Sequence, residues 1–217
     1  MKRKILFLYN GGTIGQIAEK RGEGDIVLVP PKDSEVFKRA CEPIIANLKQ
    51  ESEIIFEYVT SKDSSNMSPN DWEKLIFRIK KAQDEEKYDG VAIAHGTDTL
   101  AYTSTALSLA LHGKEPGKTG LRIPVCITGA QNPIYEAGGD GRFNLENLFR
   151  TLNEAIKLGI ADVMVNFWNK VYLGSRVLKV SEKNFDAFSS PSYPPVGVID
   201  AKGVSLYVNL LRKKVNA

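Results

Sequence analysis

Cysteine and histidine are scarce in this chain. Its 217 residues include two of each, Cys41 and Cys126, His95 and His112. They form no C-x-x-C pair and no cluster with metal-ligand spacing, which argues against a structural zinc site. Two isolated cysteines fit buried free thiols in a reducing compartment better than a disulfide framework. Long apolar runs are also lacking, and nothing approaches the ~18 apolar residues of a membrane span. The N-terminal run Ile5-Leu6-Phe7-Leu8-Tyr9 is too short for a signal peptide core and no small-residue cleavage site follows it, so a cytoplasmic protein is expected. An excess of one charge is missing too. Lys plus Arg number 29 against 26 Asp plus Glu, a formal net charge of +3. A surplus that small gives no electrostatic footprint for nucleic acid or a membrane surface. Glycine (18) and proline (10) are ordinary in number, which excludes collagen-like and low-complexity classes.

What is present is an alternation of strand-length apolar runs with helix-period segments. Residues 4–9 read as a buried strand that stops at Asn10-Gly11-Gly12. Val36, Phe37, Ala40, Ile44, Ile45 and Leu48 recur at helical spacing and predict a helix over 34–48, with Asp33 or Ser34 as cap. Residues 53–60 are β-branched and aromatic, hence strand. Ser68-Pro69-Asn70-Asp71 opens a second helix, with Ser68 as N-cap and Pro69 in the first turn. Strands at 89–94, 123–128 and 162–167 alternate with helices at 99–111 and 144–158. This order predicts an α/β fold, a mostly parallel sheet flanked by helices on both faces. After Phe167 come short strands and turns, ending in a strand over 204–211. No internal repeat or linker appears, so one domain over 1–217 is expected.

In open α/β sheets, ligands bind at the carboxyl edge of the strands. Three such edges carry polar, glycine-rich sequence: Asn10-Gly11-Gly12-Thr13-Ile14-Gly15, His95-Gly96-Thr97-Asp98-Thr99 and Thr128-Gly129-Ala130-Gln131-Asn132-Pro133. Each alone reads as a strand-to-helix turn in which glycine supplies the dihedrals. The first lacks both the Lys-Ser/Thr of a P-loop and the G-x-G-x-x-G spacing of a dinucleotide site. The stretch 16–29 after it is polar and glycine-containing, and reads as a mobile loop over an edge. The first two edges together are more telling. Each places a threonine beside glycine just past a buried strand, where a hydroxyl becomes a nucleophile if a base takes its proton. Asp98 reads either as part of that chemistry or as a cap of the following helix. A lysine held neutral by burial and neighbours would serve as base.

These residues resemble the L-asparaginase family of bacteria and archaea. Its two signature motifs look like Gly11-Gly12-Thr13-Ile14-Gly15 and His95-Gly96-Thr97-Asp98-Thr99. The likeness continues through Asp63-Ser64-Ser65-Asn66-Met67, Thr128-Gly129-Ala130-Gln131, the run from Asp140 to Leu145, and Ser190-Pro191-Ser192-Tyr193, in the family's order and spacing. The resemblance implies a fold like the family's large N-terminal domain and an amidohydrolase acting on L-asparagine or a related small amide, with no metal or organic cofactor. It assigns Thr13 as nucleophile, and Thr97, Asp98 and Lys179 as a proton relay in which Lys179 is neutral. The substrate site would take Gly12, Ser64, Ser65, Gly96, Asp98 and Ala130, with Ser64 at the α-carboxylate and Asp98 at the α-amino group. Tyr193 and Arg142 read as packing and loop-capping residues.

Two departures from the family pattern stand out. The family's catalytic tyrosine lies in the loop after the first threonine, and residues 13–31 contain no tyrosine. Tyr9 precedes the motif and does not inherit the role. Family members also carry a smaller C-terminal domain that completes a neighbouring subunit's site, and its sequence is absent here. The expectation is either a natural short form, favoured by a terminal strand over 204–211 followed by Arg212-Lys213-Lys214, or an excised large domain, with weak activity or a different substrate, self-associating as family members do. The alternative is a non-catalytic amino-acid-binding module, or a subunit of a larger amidotransferase-type assembly.

Overall fold

The computed structural model describes residues 2–22, 25–31, 33–46, 48, 51–113 and 120–214. Its centre is an eight-stranded sheet. In chain order the strands of this sheet are β1 (Arg3–Asn10), β4 (Ser52–Thr60), β5 (Gly90–His95), β6 (Val125–Thr128), β7 (Val163–Phe167), β8 (Lys170–Leu173), β11 (Gly197–Asp200) and β12 (Gly203–Leu206). Across the sheet they run β12-β11-β8-β7-β6-β5-β1-β4. β4, β1, β5, β6 and β7 are mutually parallel, and β8, β11 and β12 add antiparallel pairings. The expected mostly parallel sheet with short strands towards the C-terminus is what forms.

Helices cover both faces, which is why β1 reads as an unbroken apolar run. Ile5, Phe7 and Tyr9 face a core built with α1 (Ser34–Ile45) and α4 (Gly141–Lys157). There the Phe7 ring meets Phe149 edge-on with centroids 5.1 Å apart. Leu6 and Leu8 face the opposite core, with Leu75 and Ile79 of α2 (Pro69–Asp84) and Leu100 and Leu107 of α3 (Thr97–Ala110). α2 starts as its sequence directs. Asp71 accepts both the backbone N–H of Ser68 (3.0 Å) and its hydroxyl (2.7 Å), and Lys62 Nζ lies 3.0 Å from the same carboxylate. Trp72 Nε1 then ties α2 to α3 by donating to Thr103 Oγ1 at 2.9 Å.

Several expectations are corrected. The stretch 16–29, expected as a loop over an edge, carries two strands among its described residues. β2 (Ile17–Arg21) and β3 (Asp25–Val29) pair antiparallel with one another, Ile17 opposite Val29 and Arg21 opposite Asp25, apart from the main sheet. α1 ends at Ile45, short of Leu48. α3 begins at Thr97, two residues early, because Gly96 takes the N-cap and brings Thr97 and Asp98 into the first turn. The last strand stops at Leu206 and gives way to a 3-10 turn at Val208–Leu210. Cys41 and Cys126 are both buried and unpaired. Among the described residues no helix is long and apolar enough to cross a membrane.

Candidate active site

Parallel strands bring their carboxyl ends to one rim. β1 runs into Gly11 and Gly12, and Thr13 opens a 3-10 turn (Thr13–Gly15) pinned by Ile134 N donating to Ile14 O at 2.9 Å. Beside it β5 ends at His95, the register partner of Asn10. The two chain ends pass at van der Waals limits. A β-carbon on Gly12 would lie 2.3 Å from Gly96 Cα, and one on Gly96 would lie 2.5 Å from Ser64 Oγ. Gly12 also adopts φ +90°, a conformation open mainly to glycine. Ser64 arrives from β4 on a 3-10 turn (Ser64–Asn66) and is buried, its carbonyl accepting from Thr99 Oγ1 at 2.8 Å. The β6 end reaches the same place, since a β-carbon on Gly129 would lie 3.1 Å from Thr97 Cγ2. Buried Ala130 follows it.

Lys179 comes from farther along the chain. α3 anchors its segment, with Ser104 Oγ donating to Gly174 O at 2.8 Å. The chain then enters β9 (Leu178–Lys179), where Lys179 lies opposite Phe188 of β10 (Phe188–Ser189). Its ammonium donates to Thr97 Oγ1 at 3.0 Å and to Asp98 Oδ1 at 2.7 Å. A third acceptor, Glu182 Oε2, lies 2.5 Å away. The Lys179 side chain is 10% exposed, that of Asp98 53% and that of Glu182 76%.

Two opposing effects act on Lys179. Burial alone favours a neutral amine, but hydrogen bonds and charge from Asp98 and Glu182 outweigh it and push the Lys179 pKa above the ordinary lysine value. This arrangement favours the charged form of Lys179, whereas the resemblance implies that it acts as a neutral base. The structure thus gathers Gly12, Ser64, Gly96, Thr97, Asp98 and Lys179 at one rim, with Thr13 and Ala130 adjoining Gly12 and Gly129. Ser65 is exposed, and its hydroxyl is committed to Asp63 Oδ1 at 2.7 Å. Tyr193 packs as expected, beneath the Arg176 guanidinium at 5.9 Å.

Three further residues build the rim. Buried Asp140 accepts the backbone N–H groups of Gln131 (3.0 Å) and Asn132 (2.9 Å) and the Asn144 amide (3.0 Å). Its burial raises its pKa against those bonds, which pull the other way. Glu182 and Tyr9 are the other two. The Tyr9 ring stacks on Phe37 at 4.2 Å, and its hydroxyl, buried without a partner among the described residues, sits where a β-carbon of Gly15 would be 2.3 Å away. Burial raises its pKa strongly. Asp140 lies inside a motif visible in the sequence. Tyr9 lies in the apolar run of β1 that the sequence marks as buried, while Glu182 gives no signal there, because its placement depends on how a turn folds back.

The family model for the asparaginase N-terminal region matches residues 4–212. The chain belongs to the asparaginase family. It is 37% identical over 195 residues to L-asparaginase 1 of Escherichia coli (strain K12), covering 90% of this chain and 53% of that protein. The solved L-asparaginase I of Vibrio cholerae superimposes with a TM-score of 0.78 at 30% identity, over 100% of this chain and 60% of that one. A glutamyl-tRNA(Gln) amidotransferase component from Aeropyrum pernix is 35% identical over 159 residues, covering 71% of this chain and 36% of that protein. The asparaginase-like chain thus spans about half the length of the E. coli protein.

Proposed function

We propose that this asparaginase-family chain is an amidohydrolase that cleaves the side-chain amide of L-asparagine or a related small amide through a threonine acyl-enzyme. The observation that carries this reading is Lys179 bonded at once to Thr97 and Asp98, in a chain whose sequence belongs to the family.

Thr13 Oγ1 attacks the amide carbonyl, forming an ester as the C–N bond breaks and ammonia leaves. Water then cleaves the ester, returning Thr13 and releasing the carboxylate product. Thr97, Lys179 and Asp98 move the protons, with the logic of a nucleophile–base–orienter set. The relay works in the fraction of molecules where Lys179 has shed its proton. The open N–H groups of the first α3 turn, at Gly96–Thr97, stabilise the oxyanion, each such donor being worth about 3 kcal/mol. Ser64 holds the substrate α-carboxylate and Asp98 its α-amino group, with Gly12, Gly96 and Ala130 shaping the cavity. No cofactor enters this scheme.

Lys179 held as an ammonium and the lack of a tyrosine in 13–31 both support slow turnover near neutral pH. The same features support a second reading, an amino-acid-binding module or a component of an amidotransferase-type assembly. The Aeropyrum pernix relative carries such an assembly in its name. A coupled ammonia assay across asparagine, glutamine and small amides decides between them. Ammonia release from any of these supports the enzyme, while calorimetric binding of aspartate or asparagine without ammonia supports the module.

A further inference from the structure

Glu182 belongs to none of the motifs at the rim, yet it makes the shortest of the three Lys179 contacts. An exposed glutamate on a loose turn would be an incidental partner. This turn is clamped. Ser181 Oγ accepts the backbone N–H groups of Lys183 (3.2 Å) and Asn184 (3.0 Å), and Val180 N donates to Ala187 O at 2.8 Å. From across the rim, Gln131 Nε2 donates to the carbonyls of Ser181 and Asn184, each at 3.3 Å. Gln131 is itself fixed by its backbone N–H on Asp140. Glu182 therefore takes its position from the β6 edge, beside Ala130, and not only from its own strand.

An ammonium has three N–H donors. Here Thr97 Oγ1, Asp98 Oδ1 and Glu182 Oε2 use all three, so the rotation of the amine is fixed. Without Glu182 one donor would be free, and the amine could swing towards Asp98. We propose that Glu182 is a positioning residue of the Thr97–Lys179–Asp98 relay, holding the Lys179 amine aimed at Thr97 from a turn clamped by Gln131. This rests on the amidohydrolase reading. Lys179 opens on a cavity of about 630 Å³, where α2 contributes Trp72, and α3 Asp98 and Tyr102. Across β9 the partner strand offers Phe188 and Ser189, neither charged. Among the described residues lining that cavity, Asp98 and Glu182 are the two carboxylates and Lys179 the one cation. Glu182 accordingly adds negative charge to a site that already holds one anion per cation, and it makes loss of the Lys179 proton harder.

The test compares wild type with Glu182→Gln and Glu182→Asp. Lysine side-chain NMR titration follows Lys179 directly, its signal assigned by its absence in Lys179→Met. In Glu182→Gln the Lys179 midpoint is expected to fall by about half to one pH unit, with Glu182→Asp restoring part of the difference. In the ammonia assay the acid limb of kcat moves down by the same amount. The plateau drops about tenfold as orientation is lost, and KM changes little. Gln131→Leu keeps the Glu182 charge but releases the turn that holds it against Lys179, and is expected to lower the plateau and to move the limb down by less than Glu182→Gln does. An unchanged Lys179 midpoint together with an unchanged plateau in Glu182→Gln overturns the proposal. A shifted midpoint in a protein that releases no ammonia leaves Glu182's hold on Lys179 standing and defeats the amidohydrolase reading instead.

Discussion

Gly12 and Gly96 meet backbone to backbone, with no space for a side chain between them. Gly12→Ala places its methyl group 2.3 Å from the Gly96 Cα, on a residue whose φ of +90° already disfavours alanine. It is expected to destabilise the protein by about 3 kcal/mol, read as a lowered thermal midpoint. Ammonia release should be lost even at temperatures where the variant remains folded, because the gap between Thr13 and the α3 N-terminus is set there. A variant with wild-type stability would show that the two ends do not approach this closely.

Thr97→Ala removes the hydroxyl that receives the Lys179 hydrogen bond while leaving the backbone of the α3 first turn in place. Amide hydrolysis is expected to fall by about 10²–10⁴-fold, with aspartate affinity measured by calorimetry reduced only modestly. Equal losses in rate and affinity would assign Thr97 to binding alone.

The rim is largely legible in the sequence because it is made of strand ends. Apolar runs locate the strands, and the polar, glycine-rich turns that hold Thr13, Thr97 and Ala130 follow them at the carboxyl edge, while the roles of these residues come from the resemblance. What stays hidden depends on segments folding back. β2 and β3 pair only with each other, so no core imposes an alternating pattern on them, and Ile26 and Leu28 stay exposed. The charge of Lys179 is illegible because the approach of Glu182 depends on the Gln131 clamp, which joins residues 50 and 53 positions apart. Helix α3 reads two residues late because threonine and aspartate are common capping residues, while Gly96 takes that position.

With Lys179 as the relay's base, its proton must leave before it accepts another. Its raised pKa places that loss on the alkaline side of an ordinary lysine, so the rate is expected to climb continuously from about pH 6 to about pH 10. A kcat profile that is already flat at neutral pH would remove Lys179 from the base role.

Tyr9→Phe deletes a buried hydroxyl that has no hydrogen-bond partner among the described residues. Stability should stay level or rise by about 1 kcal/mol in urea unfolding, and turnover should persist. Lost turnover in a folded Tyr9→Phe would hand Tyr9 the activating role that residues 13–31 cannot supply.

Asp71 is held to a pKa of about 2 by hydrogen bonds from Ser68 and Lys62 and by the Lys62 charge. A carboxylate depressed on folding stabilises the native state above its unfolded pKa and loses that contribution as pH falls through its folded one. Asp71→Asn should therefore cost about 1–2 kcal/mol at neutral pH, a deficit that shrinks below about pH 4 and vanishes near pH 2 in denaturant titrations. A deficit independent of pH would mean that Asp71 acts by shape alone.

The eight-stranded order ends at β4, whose outer side pairs with no described strand. A long bare margin of this kind invites edge-to-edge aggregation with a second molecule. Glu53 and Glu57 stand along it, and Glu57 is tied to Arg78 at 2.8 Å. Negative charge at these positions disfavours the addition of a second strand beside β4. Solubility of the folded chain should depend on these two side chains far more than on any residue of the rim.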